Sequence, residues 1–399
     1  MEISAIDIFS GCGGLSCGLV RAGFKVKAAV EIETAAAVVY KKYEPLSQVN
    51  VLEEDICKVN GAELLNKAGI SADDLYLFAG CPPCQNFSRQ NSRNKDKTDE
   101  ERKKLLFEFL RVIKEIHPPF ILMENVPGIK SEFNRKIFDE FIEELKNSGG
   151  EDGERYEVHE TVLNAADYGV PQVRRRFVLH AVRYDLFREL EKHGYKFNLP
   201  AKTHCRDGKN GLQKWVTVAQ AIGDLPEIAA GGKYEGDDVD NHRCAGLSQK
   251  NLKRIKAIRE AGGSRTGLPD ELVLDCHKKE DSDGNVFVGR TDVYGIMDGN
   301  KPSPTITCGC LCYSKGRYGH YTQDRAISVR EAARLQTFPD DFKFSGSLVH
   351  AATQIGNAVP IKLVEESAKE LFKAIEYLKK VREPVTQKRG RGRPRKIRS

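Results

Sequence analysis

Two cysteines three positions apart, Cys81 and Cys84, enclose two prolines in the stretch GCPPCQNFS. Such a pair can supply half of a zinc site, form a redox disulfide, or present one reactive thiol beside a structural one. Zinc needs four ligands, and the other candidates, CGCLC at 308–312 and CH at 276–277, lack the usual zinc-knuckle spacing. The Gly-rich loop and the strand order do not suggest a thioredoxin-like redox protein. The pattern alone leaves these alternatives open, together with two buried structural cysteines.

Two further segments could move protons and hold charge. Glu124 ends the apolar run FILME, where removal from water would raise the pKa of its carboxyl group. Arg174 and Arg176 lie two positions apart in QVRRR, so on a strand their side chains share one face. Together at the carboxyl edge of a parallel sheet, the acid and the arginines would form a reaction site. Taken singly, they could be a satisfied buried carboxylate and a solvated arginine run.

A Gly-rich stretch, DIFSGCGGLSCGL, separates the first predicted strand from the first predicted helix. Glycines there let backbone N–H groups approach a ligand at the positively polarised start of a helix. Glu31, at the end of the second predicted strand, suits the hydroxyls of a ribose. The spacing is not that of a dinucleotide site, so a nucleotide-like ligand and a plain tight turn are about equally supported.

Alternating strands and helices must position these groups. Strand patterns occur in ISAIDIF, FKVKAAVEI, DDLYLFAG and FILMENV, and helical patterns lie between them. This alternation predicts an α/β fold with a doubly wound, mostly parallel sheet. Residues 199–325 have weak periodicity, and helical patterns return after them, so we expect a separate, loop-rich region there.

Charge is concentrated at one end of the chain. The net charge is +6, and the twelve residues KRGRGRPRKIRS at 388–399 carry seven Lys or Arg and no acid, which leaves −1 for the rest. Such a tail typically binds phosphate or acts as a localisation signal. No stretch approaches the ~18 apolar residues of a membrane span, and no secretory signal is evident. Eleven scattered cysteines favour reduced thiols and an intracellular location.

Six motifs in order closely resemble those of the C5-cytosine methyltransferase family, from Asp7 to about Pro360. They are DIFSGCGGLS, GCPPCQNFS, ENV, QVRRR, REAARLQTFPDDF and QIGNAVP. The resemblance implies transfer of a methyl group from S-adenosyl-L-methionine to carbon 5 of cytosine, after a thiolate has added to carbon 6. It also implies a Rossmann-like catalytic domain at 1–198 completed by 350–382, a smaller target-recognition domain at 199–325, a hinge at 326–349, and a basic disordered tail at 383–399.

The resemblance assigns roles to individual residues. Cys84 would be the nucleophile and Cys81 a structural bystander. Glu124 would contact the N3 edge of cytosine, and Arg174 and Arg176 would hold the base, the glutamate and nearby phosphate. The cofactor contacts would be Phe9, Gly11, Gly14, Glu31, Asp55, Ile56, Pro83, Asn357 and Val359. The DNA contacts would be Ser88, Gln172 and, in the tail, Arg391 and Arg393.

The implied partner is double-stranded DNA, from which the target cytosine must be flipped. The tail core RGRPRK resembles an AT-hook, although a localisation-type basic run is about equally supported. Further expectations are a monomer without metal or membrane contact, in the cytoplasm or nucleoid of a bacterium or in a eukaryotic nucleus, and a cognate restriction endonuclease as a candidate partner. The alternatives are an RNA cytosine methyltransferase, disfavoured because the cysteine-phenylalanine-threonine signature of the transfer-RNA branch is absent, and a DNA-binding protein without turnover.

Overall fold

Seven strands form one sheet in the computed structural model, which describes residues 2–83, 98–148, 155–278 and 292–383. They are β1 (Ser4–Ile8), β2 (Lys25–Val30), β3 (Asn50–Leu52), β4 (Leu77–Gly80), β5 (Phe120–Asn125), β6 (Tyr156–Asn164) and β7 (Arg175–Arg183). Their order is β3-β2-β1-β4-β5-β7-β6. The first five pair in parallel, and β7 is antiparallel to both of its neighbours. The expected doubly wound α/β sheet is confirmed.

The described part of the chain contains eleven α-helices. They are α1 (Gly14–Arg21), α2 (Thr34–Lys42), α3 (Gly61–Ala68), α4 (Asp99–Ile116), α5 (Arg135–Lys146), α6 (Tyr184–Lys192), α7 (Val218–Ile222), α8 (Gln249–Glu260), α9 (Val329–Leu335), α10 (Leu348–Asn357) and α11 (Ile361–Arg382). The apolar residues of α3, α4 and α5 form one core, and those of α1, α6 and α11 belong to another. Successive residues of β7 alternate between the two cores, as the two-residue period of a strand requires. None of the described helices is both long and apolar enough to cross a membrane.

The two long helices have the boundaries that their sequences favour. Thr98 caps α4 in a reciprocal capping box with Glu101, and the helix ends at Ile116, two residues before Pro118. In α11 the apolar residues that recur at helical spacing are buried, namely Val364, Ala368, Leu371, Ile375 and Leu378. This helix packs against α1, so the two ends of the sequence share one core.

Residues 199–325 contain little regular structure in their described part. A two-stranded sheet is formed by β8 (His204–Cys205) and β9 (Gln213–Lys214). Several apolar residues of this region, among them Ile222 and Ile306, belong to the same core as α11. A small separate cluster surrounds Ile258 on α8. The described part of this region therefore packs mainly on the core that also contains α1 and α11.

The segment 326–349, expected to be a hinge, is instead packed into the protein. Ile327 and Val329 are fully buried. Just before it, the Arg325 guanidinium bonds both carboxylate oxygens of Glu331 at 2.6 and 2.8 Å, and both side chains are buried. Arg330, also buried, donates to three backbone carbonyls. These polar side chains are satisfied inside the protein and do not face solvent, and the hinge role of the segment stays a prediction.

Candidate active site at the carboxyl edge of the sheet

Glu124 and Arg176 meet at the edge of the sheet, where β5 ends and β7 begins. Arg176 Nε lies 2.7 Å from Glu124 Oε1, and each side chain is only 11% exposed. Burial raises the pKa of Glu124, and the charges of Arg176 and Arg174 and a hydrogen bond with Cys81 oppose that rise. The predicted pairing of a desolvated carboxyl group with an arginine is present.

The loop after β4 lies beside this pair. Asn125, buried at the end of β5, donates from Nδ2 to Pro82 O at 3.1 Å, and its Oδ1 accepts from Val126 N at 2.8 Å. Asn125 therefore holds the backbone that leads into Cys84. Sequence reasoning did not single it out, although it stands in the quoted ENV motif. Cys84 itself and Ser88 lie outside the described residues.

Cys81 contacts the buried acid of this site, whereas the sequence predicted only a structural role for it. Its hydrogen bond with the Glu124 carboxyl group lowers the pKa of that group. The residue is half-buried, and its backbone N donates to Ile8 O at 3.4 Å, next to the Gly-rich loop. Cys81 therefore connects the start of the cysteine loop with the buried acid.

Arg174 precedes β7 and makes different contacts from those predicted. It is buried, and its guanidinium donates to Ile306 O at 2.5 Å and to Gly356 O and Ala358 O, each at 3.1 Å. These carbonyls belong to the loop-rich residues 199–325, the variable region, and to the end of α10. The charge of Arg174 lowers the pKa of Glu124, and its hydrogen bonds to Ile306, Gly356 and Ala358 join separate backbone segments.

Gln172 was predicted to contact DNA, and the structure does not support that prediction. Its side chain is fully buried. Its Nε2 donates to Leu335 O at 3.1 Å and to Gln336 Oε1 at 2.8 Å, and its Oε1 accepts from Ile306 N at 2.9 Å. An amide whose donor and acceptor are both used inside the protein offers nothing to an external ligand.

The Gly-rich loop between β1 and α1 faces Glu31 at the end of β2. Gly11 N donates to Glu31 Oε2 at 2.7 Å, and Glu33 N donates to Oε1 at 2.9 Å. Burial raises the pKa of Glu31. Phe9 has a φ of 59°, a strained value for a bulky residue, and such strain is concentrated at functional sites. A Cβ added to Gly11 would meet no atom within 4 Å, so the loop borders open space.

Other predicted cofactor residues lie at the same edge. Asp55 follows β3 and accepts from Cys57 N at 3.0 Å, a bond that lowers its pKa. The neighbouring Ile56 is buried. Pro83 follows β4 and is half-buried. Ile32, 62% exposed beside Glu31, is an apolar residue that sequence reasoning missed. Because β1 to β4 are parallel, their carboxyl ends bring these residues to one edge.

The end of α10 approaches the Gly-rich loop from the far end of the chain. A Cβ on Gly14 would lie 3.1 Å from Ala358 Cβ and 3.2 Å from Val359 O, so α1 packs closely on this turn. Val359 is buried, whereas Asn357 is exposed and its Oδ1 lies 2.9 Å from Cys308 Sγ. The structure thus brings the predicted residues of both chain ends together.

A family model for C-5 cytosine-specific DNA methylases matches residues 3–373. The chain belongs to this family.

Relatives of the methylase span almost its whole length. It is 37% identical over 380 residues to the Type II methylase M.HgiDII of Herpetosiphon aurantiacus, covering 94% of this chain and 96% of that protein. It is 33% identical to the Type II methyltransferase M1.HphI of Haemophilus parahaemolyticus, covering 94% and 87%. The methylase is therefore a DNA (cytosine-5)-methyltransferase, and its relatives point to restriction–modification.

Solved structures agree with this assignment. A candidate DNA modification methyltransferase encoded within an E. coli prophage superposes with a TM-score of 0.62 at 26% identity, covering 94% of this chain and all of that one. The Dnmt2 methyltransferase of S. pombe, at 16% identity and a TM-score of 0.56, covers 94% and 99% and shares the fold. The predicted family and fold of the methylase are confirmed.

Two further expectations concern the basic tail and metal binding. Arg391 and Arg393 of the basic tail lie outside the described residues. Within the described ranges, no group of three or more His, Cys, Asp or Glu side chains is placed to hold a metal ion.

Proposed function

We propose that the methylase transfers a methyl group to carbon 5 of cytosine within a specific duplex DNA sequence, and that Cys84 attacks carbon 6 of a flipped-out base. The Glu124–Arg176 pair at 2.7 Å carries this proposal. It lies beside the backbone of Pro82 that Asn125 holds, two residues before Cys84. A buried acid, an arginine and a cysteine loop at one edge match the needs of this reaction.

Glu124 would manage the charge that develops on the pyrimidine ring. When the Cys84 thiolate forms its bond to carbon 6, electron density moves toward N3 and carbon 5. A carboxyl group whose pKa is raised by burial can share its proton with N3 and accept a hydrogen bond from the exocyclic amine. Carbon 5 then takes the methyl group, loses its proton to a base, and the thiolate leaves as the carbon 6–sulfur bond breaks.

Arg176 would keep the acid in place and oppose too large a rise in its pKa. Its Nε lies 2.7 Å from Glu124 Oε1, and its Nη1 donates to Arg175 O at 2.8 Å. These two contacts fix the plane of the guanidinium, which can then orient the base or a phosphate.

S-adenosyl-L-methionine would supply the electrophilic methyl group when bound. The residues present fit this cofactor, because the Gly-rich loop borders open space and faces a buried carboxylate. Glu31 would bind the ribose hydroxyls, Asp55 and Ile56 the adenine, and Phe9 and Ile32 its ring faces. The remaining contacts would come from Gly11, Gly14, Pro83, Asn357 and Val359.

The substrate would be double-stranded DNA, because a cytosine stacked in a duplex is out of reach until it is extruded. Residues 199–325 would face the major groove, where all four base pairs can be distinguished. The tail around Arg391 and Arg393 would add salt-sensitive affinity, as an AT-hook or as a simple polycation. We further propose a monomer that protects DNA against a cognate restriction endonuclease.

The test is covalent trapping on duplex DNA with 5-fluorocytosine at the preferred site, located first by bisulfite sequencing of DNA from expressing cells. Fluorine cannot leave as a proton does, so the enzyme should remain joined to DNA after methyl transfer. Mass spectrometry should find the adduct on Cys84. Cys84→Ser should form no adduct and methylate no DNA.

Cys81→Ser is the matched control, because serine retains a donor for Glu124, and this variant should form the adduct. An adduct on Cys81, or none in the wild type despite methylation of ordinary DNA, would overturn the assignment of Cys84.

A further inference from the structure

Three buried polar side chains, Gln172, Arg174 and Gln336, join parts of the chain that are far apart in sequence. We call them the latch. Gln336 directly follows α9 and is fully buried. Its Nε2 donates to Ile355 O at 2.7 Å and to Ala358 O at 3.1 Å, and its Oε1 accepts from Gln172 Nε2 at 2.8 Å. All three contacts are within normal hydrogen-bond distance.

The latch holds the turn that carries two proposed cofactor contacts. We define this turn, residues 356–359, as the closing turn; it contains Asn357 and Val359. Arg174 donates to Gly356 O and Ala358 O, and Gln336 shares the second of these carbonyls. Two side chains from different segments therefore fix the backbone on either side of Asn357.

The latch also forms hydrogen bonds with the variable region. Residues 303–308, here the recognition segment, lie against the residues that precede β7. Gln172 Oε1 accepts from Ile306 N at 2.9 Å, and Arg174 donates to Ile306 O at 2.5 Å. A Cβ on Gly356 would lie 2.1 Å from Cys308 N, so the recognition segment packs directly on the closing turn.

We propose that Gln336 is a positioning residue for the cofactor site, and that through Gln172 it ties the closing turn to the recognition segment. The inference rests on the proposed cofactor site. Its physical basis is that buried carbonyls and amides must be paired, so each latch side chain allows one arrangement of the two segments. Losing the Gln336 donor would loosen the closing turn, whose only remaining bonds from the latch would come from Arg174. Gln172 would keep its bonds to Leu335 O and Ile306 N.

The test compares Gln336→Met with Gln323→Met in the full-length protein. Methionine keeps the length of the side chain and removes its hydrogen bonds. Gln323 is the matched control because it is not part of the latch and lies far from the closing turn in sequence. Its Oε1 accepts hydrogen bonds from Ile228 N and Arg325 Nε. Both variants should lose thermal stability.

Only Gln336→Met should loosen the latch. We expect amide hydrogen exchange at 355–359 to accelerate about tenfold without cofactor, and exchange at 303–308 to accelerate less, because Gln172 keeps its bond to Ile306 N. Calorimetry should show a Kd for S-adenosyl-L-methionine about tenfold higher, while kcat at saturating cofactor and the Kd for DNA change less than threefold. Unchanged exchange in both segments, or an equal loss of cofactor affinity in Gln323→Met, would overturn the proposal.

Gln336→Glu provides a second variant that keeps the acceptor for Gln172. A protonated glutamic acid can still donate to Ile355 O, and burial raises carboxyl pKa values. Its cofactor affinity relative to wild type should therefore recover as the pH falls, and a ratio independent of pH would contradict a hydrogen-bonding role. If the wild type binds no S-adenosyl-L-methionine, the proposal of this cofactor is wrong. The exchange measurement would still test whether Gln336 holds the closing turn.

Discussion

The carboxyl group of Glu124 is both buried and paired with an arginine. Arg176 lies 2.7 Å from its carboxylate, yet the pKa of Glu124 is raised, because burial outweighs the opposing charges. The paired arginine therefore stabilises the position of the acid without forcing it to remain ionised. An acid whose pKa is raised by burial holds its proton to higher pH than an exposed one and can share it when charge shifts on a ligand.

Replacing Glu124 by Gln should separate catalysis from binding. Glutamine keeps the shape but cannot share a proton, so the rate of methyl transfer should fall about 10²–10⁴-fold, with cofactor affinity within threefold of wild type. Single-turnover transfer of a labelled methyl group measures the first quantity, and calorimetry the second. Glu157→Gln on β6, away from the carboxyl edge, should match wild type in both, and equal losses in the two variants would argue against the role of Glu124.

At the scale of elements, β6 and β7 carry an acid-sensitive pair of histidines. His159 and His180 face each other across the two strands, and His180 Nε2 lies 2.8 Å from Ser367 Oγ on α11. Burial lowers the pKa of His180 to about 3 and also lowers that of His159. In the unfolded chain these histidines bind a proton near their ordinary pKa of ~6.5. In the folded protein they bind it only at a lower pH. Stability is therefore lost as the pH falls from ~6.5 toward 3.

His180→Gln should make the unfolding free energy depend less on pH in this range. Glutamine can still bond to Ser367 and takes up no proton, so the slope of unfolding free energy against pH between about 6 and 4 should decrease by up to ~1.4 kcal/mol per pH unit. Urea unfolding at several pH values, followed by the fluorescence of the single tryptophan, Trp215, measures this slope. The exposed His193→Gln is the control, and an identical slope in His180→Gln and wild type would exclude His180 as the cause.

At the scale of the whole molecule, buried charges hold the variable region to the catalytic core. Arg325, at the end of that region, pairs with Glu331 on α9, and both are buried. His320 Nε2 lies 3.5 Å from Glu331, and burial lowers the pKa of that histidine to about 4, so the pair exists without a third charge at neutral pH. Such a pair favours one arrangement of the two regions, because neither ion tolerates separation from the other.

Glu331→Gln should destabilise the protein by about 3–5 kcal/mol, since it leaves the Arg325 charge buried without a counterion. Glu370→Gln, which removes an exposed pair with Lys373, should cost less than about 1 kcal/mol. Urea unfolding at neutral pH compares the two. Similar small losses would show that water reaches Arg325 and that the network does not hold the regions together.

The amino-acid sequence by itself determined the order of strands and helices, the six motifs, and the placement of Glu31 and Glu124 at strand ends. These follow from periodicity and from punctuating glycines and prolines, which act over a few residues. Only the tertiary structure decided that Arg174 and Gln172 turn into the protein and that residues 326–349 are packed. The partners of Arg174 stand 132–184 positions away in the chain. No local pattern encodes such contacts, because they exist only once the sheet has brought the two ends of the chain together.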